Sequence, residues 1–63
     1  MPLVYRMPSL ERAAHVAAIL LGNHVQAWEE MRSWNPVLIV EDESPLVDAA
    51  VRRMEPQAQR VLP

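Results

Sequence analysis

Cysteine, lysine, phenylalanine and threonine are all absent from this 63-residue chain, and glycine occurs once. Without cysteine no disulfide can staple a small domain, and the composition fits a reducing compartment, so a cytoplasmic setting is expected. The longest unbroken apolar run, residues 16–21, falls far short of the ~20 residues of a membrane span. The N-terminus lacks a basic start followed by an apolar stretch, so neither a leader nor a membrane partner is expected. One glycine leaves no phosphate-binding loop. Metal-ligating groups are two histidines and scattered carboxylates, so no metal and no cofactor is expected. All six basic residues are arginine, and the net charge of −2 exerts no general pull on nucleic acid or anionic lipid.

What is present is apolar patterning. Leu10, Ala14, Ala17, Leu21, His24, Trp28 and Met31 follow steps of four and three, the seam of an amphipathic helix. Ala13, Val16, Leu20 and Ala27 widen that face. Ser9 is a suitable N-cap, Glu11 suits the first turn, and Asn35-Pro36 marks a stop. The spacing predicts one long helix over residues 9–34. Gly22-Asn23 could instead divide it into two helices, residues 10–21 and 24–33, but the seam crosses the glycine without losing phase.

Around this helix the chain reads as short pieces. Residues 1–8 form an extended arm or short strand, with Leu3, Val4 and Tyr5 as its apolar part. Residues 37–40, Val-Leu-Ile-Val, read as a short buried strand. Ser44-Pro45 opens a second helix over 45–54, with Leu46, Val47, Ala50, Val51 and Met54 as its stripe and Arg52 and Arg53 at its last turn. Residues 55–63 form a polar tail ending in Val61-Leu62. Two strands joined through a helix are expected to pair parallel. The expected architecture is a single small domain over residues 1–63, α+β and helix-dominated.

Two local resemblances carry functional implications. Residues 36–54, PVLIVEDESPLVDAAVRRM, resemble the opening of a response-regulator receiver domain, in which a strand ends in acids that help hold magnesium. Glu41 and Asp42 occupy those positions, but no aspartate follows Asp48 to accept a phosphoryl group. Residues 3–31 resemble a ribbon-helix-helix repressor: strand, helix, turn at Gly22-Asn23, second helix. That likeness implies a dimer reading DNA with its ribbon, where Arg6 is the one cation, or an antitoxin whose C-terminal extension occupies a toxin.

Side chains that could do chemistry read better as structure. His15 and Glu11 form an exposed helix pair. Glu29 and Glu30 are neighbours that cannot share a substrate in a helix. Glu41, Asp42 and Glu43 do not converge from a strand, and they complement the following helix start. No catalytic group and no small-molecule substrate is indicated. The expected function is a non-enzymatic protein-interaction module, an accessory subunit, inhibitor or regulator that binds another protein or its own copy. The residues expected to meet the partner are Trp28, Met31, Trp34, Leu21, His24, Val4 and Tyr5, because tryptophan and its apolar neighbours dominate interface energetics. A DNA-binding regulator is the alternative.

Overall fold

The computed structural model describes residues 1–61. Six elements follow in order: β1 (Leu3–Arg6), α1 (Leu10–Gly22), β2 (Ala27–Arg32), β3 (Asn35–Val40), α2 (Pro45–Met54) and β4 (Gln59–Arg60). The strands form one antiparallel sheet in the order β2-β3-β1-β4. With 38% of the described residues in helices and 30% in strands, the fold is a small α+β domain and not a helix-dominated one. The order and pairing are those of the split βαβ, or ferredoxin-like, arrangement. That arrangement hosts unrelated functions and by itself indicates none.

The largest correction concerns residues 9–34. Helix α1 starts where Ser9 Oγ accepts the Arg12 amide at 3.1 Å, but it ends at Gly22. Its last carbonyls are closed by backbone bonds, His24 N–H to Leu21 O at 3.0 Å and Val25 N–H to Leu20 O at 2.9 Å. This is the two-bond C-terminal cap that turns the chain sharply, with Val25 packing back toward the last helical turn. The left-handed residue that the cap requires is His24, φ 65°, and not the glycine. The residues after it extend into β2. Their helical phase was incidental, because pairing six residues with β3 outweighs a seam of modest propensity. The second helix implied by the ribbon-helix-helix resemblance is therefore a strand.

The extra strand also changes the pairing. β1 and residues 37–40 pair antiparallel, not parallel, because β2 intervenes and reverses the chain before β3. The receiver resemblance, which implies a parallel sheet, meets an antiparallel one. Asn35-Pro36, expected to stop a helix, opens β3. The Pro36 carbonyl accepts Met7 N–H at 3.0 Å, so its missing amide donor lies on the β1 side, beyond the residues β1 pairs. Of the two readings of residues 1–8, the short strand is the one present: β1 lies inside the sheet between β3 and β4. The expected tail contains β4, whose ladder continues through Val61 N–H to Val4 O at 2.8 Å; residues 62 and 63 of that tail lie outside the described residues.

Strand alternation sorts the sheet into two faces. Leu3, Tyr5, Leu38, Val40 and Ala27 point at the helices and join Ala13, Val16, Ala17 and Leu20 of α1 and Val51 of α2 in one core. Val4, Val37, Ile39 and Trp28 point to the other face, which no helix covers.

Two polar links tie the helices down. Tyr5 Oη donates to Asp48 Oδ1 at 2.6 Å, joining β1 to α2, and Arg52 adds a 3.0 Å bond to the same carboxylate. Arg12 of α1 donates to Glu55 Oε1 at 2.8 Å and reaches the Met54 carbonyl at 3.4 Å, clamping the C-terminal end of α2. The Tyr5 hydroxyl holds the Asp48 carboxyl below its ordinary 3.8, and Arg12 holds Glu55 below its ordinary 4.5. Stability from both links is present above those ordinary values and lost as pH falls through the lower folded ones. Burial first, then Asp48, pushes the Tyr5 hydroxyl above its ordinary 10.0, so a second loss begins above that pH. Arg12→Ala should lower the thermal midpoint at pH 7 and converge on the parent as pH falls below the ordinary 4.5 of Glu55 and through its lower folded value. A gap that stays constant with pH would mean the clamp contributes through packing alone.

Candidate protein-binding surface

The β2–β3 hairpin carries the three large side chains that the sequence groups together, and extended backbone distributes them differently from a helix. Trp28 pairs with Ile39 across the ladder and lies on the uncovered face. Its indole Nε1–H donates to Glu30 Oε1 at 3.0 Å, and Arg32 Nε–H donates to the other Glu30 oxygen at 3.0 Å. Residues 28, 30 and 32 stand on one face because they alternate. The indole hydrogen bond first, and the guanidinium second, hold the Glu30 carboxyl below its ordinary range. Trp28 is thus pinned in one orientation over the sheet while remaining 40% exposed. Its neighbours Ile39 and Val37 are buried although no helix lies over them. A shallow cavity of about 240 Å³ beside them is lined by Met1, Pro2, Val4, Arg32 and Val61.

Met31 points to the opposite side of the same strand and is 49% exposed. Trp34 occupies the hairpin tip and is 93% exposed, the most exposed large apolar side chain among the described residues. The tip is a two-residue turn, closed by the Arg32–Asn35 pair, in which Ser33 (φ 49°) and Trp34 (φ 67°) are both left-handed. Asn-Gly or Gly-Gly would fit such a turn freely, whereas a bulky residue is strained there. An aromatic ring in that position has neither burial nor backbone preference to recommend it.

The other residues expected at an interface lie elsewhere. Leu21 and His24 sit exposed at the C-terminal end of α1; Val4 is half-buried on the uncovered face; Tyr5 is wholly buried among the helices. One helical line does not join them. The hairpin carries Trp28 and Met31 on opposite faces and Trp34 at its tip, while Leu21 and His24 lie where α1 ends, at the end of β2 away from that tip.

That opposite end carries a surface the sequence reading did not isolate. Between α1 and α2 runs an open groove of about 360 Å³, lined chiefly by Ile19, Leu20, Val25, Leu46, Val47 and Met54, with Asn23 and Arg53 at its rim. Leu46 is 83% exposed. A signal existed: the α2 stripe of Leu46, Val47, Ala50, Val51 and Met54 is wider than contact with one sheet requires.

Among the described residues no three histidine, aspartate or glutamate side chains converge as a metal site needs, and no helix is long and apolar enough to cross a membrane. The chain matches no protein-family model, and no curated protein or solved structure is significantly similar to it.

Proposed function

We propose that this chain is a small non-enzymatic protein-interaction module, an accessory or regulatory subunit acting in the cytoplasm, and that it binds through the β2–β3 hairpin. The observation that carries the reading is Trp34, an indole held almost fully in solvent at a backbone position that disfavours it. Strain of this kind collects where a structure serves function rather than stability. Trp28 supports the reading, because its hydrogen bond to Glu30 fixes it before any partner arrives, and preorganised aromatic side chains lose little entropy on binding. The absence of cysteine supports the cytoplasmic part.

The test uses the immobilised parent chain beside Trp34→Ala and Trp34→Gly. Glycine relieves the left-handed strain, so Trp34→Gly should fold at least as stably as the parent, with a gain of up to about 1 kcal/mol. Both variants should lose the partner that the parent retains. If the variants capture the same partner equally well, the hairpin is not the binding element and the proposal fails.

A further inference from the structure

The exposed indole and the unfilled groove are chemically matched. The groove offers aliphatic walls from Ile19, Leu20, Leu46, Val47 and Met54, and its volume of about 360 Å³ lies at the low end of sites that take small organic groups. A single projecting aromatic side chain suits such a space better than a helix or a strand does. Arg53 at the rim makes no ion pair among the described residues. A guanidinium placed there can lie against an aromatic face. The hairpin bearing Trp34 also carries Glu29, an exposed carboxylate that makes no ion pair among the described residues, so its charge complements the rim.

The two surfaces cannot meet within one molecule. The groove lies beside Asn23 and Val25, where the chain leaves α1, and Trp34 lies beyond the far end of β2. Six extended residues separate those ends by about 20 Å.

We infer that the chain self-associates by seating Trp34 of one copy in the groove between α1 and α2 of a second copy. This rests on the reading of the hairpin as the binding element and names its partner. The contact joins two different surfaces. It closes into a pair when each copy both gives and receives a hairpin, and otherwise continues head to tail.

Both halves of the contact can be altered without touching the core. Trp34→Ala removes the inserted group and leaves the groove. Leu46→Asp places a charge in the groove and leaves the hairpin; it is also a favourable residue for the first turn of α2. Sedimentation of the parent between about 1 μM and about 1 mM should show association, and each variant alone should associate at least about tenfold more weakly. Circular dichroism should show both variants folded. Mixing the two should bring association above that of either variant alone, because the Leu46→Asp hairpin can enter the Trp34→Ala groove and so make one of the two contacts of a closed pair. A parent that stays monomeric throughout, a variant that associates like the parent, or a mixture that associates no better than either variant alone would overturn the inference. A monomeric parent whose Trp34 is still needed to retain some other protein would remove the self-docking and leave the module reading standing. Capture of the same partner by Trp34→Ala would remove the hairpin as the binding element, and the self-docking with it.

Discussion

Leu38→Ala should leave much of the chain unfolded at 25 °C. Leu38 is wholly buried at the centre of β3, opposite Tyr5 on one side and Glu29 on the other, and it faces the helices. Truncating a buried leucine costs about 2–5 kcal/mol, the upper part arising where surroundings cannot collapse into the space. A central strand held by neighbours on both sides is such a place. Folded domains have only about 0.05–0.15 kcal/mol of stability per residue, which for a chain of this size is on the order of 3–9 kcal/mol. The substitution therefore removes a large part of the whole. A thermal midpoint lowered by at least about 10 °C is expected in circular dichroism. A shift below about 3 °C would show that β3 is not the centre of the core.

Ala17→Pro should have an effect of similar size through a different route. Ala17 is buried in the middle of α1, on the line of Ala13, Val16 and Leu20 that meets the sheet. Proline there removes a backbone hydrogen bond and clashes with the preceding turn, costing about 3 kcal/mol or more. Its ring must also fit where a methyl group packs. Both the helical signal and the near-ultraviolet signal of Tyr5, buried on the helix-facing side of the sheet, should fall, because without α1 that side is exposed. Unchanged spectra would mean α1 does not organise the domain.

The helix starts were legible in the sequence because each is made by residues adjacent in the chain. Ser9 caps Arg12, and Ser44, followed by Pro45 at the first helical position, caps Leu46. The strand at residues 37–40 was legible as an apolar run because all four of its side chains are buried, two toward the helices and two within the uncovered face. The end of α1 was marked only as the alternative, a division at Gly22-Asn23, because nothing between residues 21 and 34 breaks the helical phase; that the residues after it form a strand was not legible. The cap there is built from backbone bonds and a left-handed histidine, and β2 gains its identity from pairing with β3. β4 was missed for a related reason: a two-residue strand has no pattern of its own. Of the interface candidates, Trp28, Met31 and Trp34 were singled out by residue type, but their geometry depended on knowing that residue 28 extends. The groove depended on two helices being placed side by side, which no local pattern encodes.

The position of β1 inside the sheet has a consequence for how the protein is made. Its pairing partners are β3 and β4, both much later in the chain. An emerging polypeptide therefore presents Leu3, Tyr5 and Met7 to the cell with no strand to receive them, while α1 can already form from local contacts. The hairpin of β2 and β3 can close by itself, and only then does β1 find its first neighbour. Contacts so distant in sequence slow folding. During that interval both edges of β1 remain open to pairing with other chains, and a chain cut short before β4 leaves one of them open permanently.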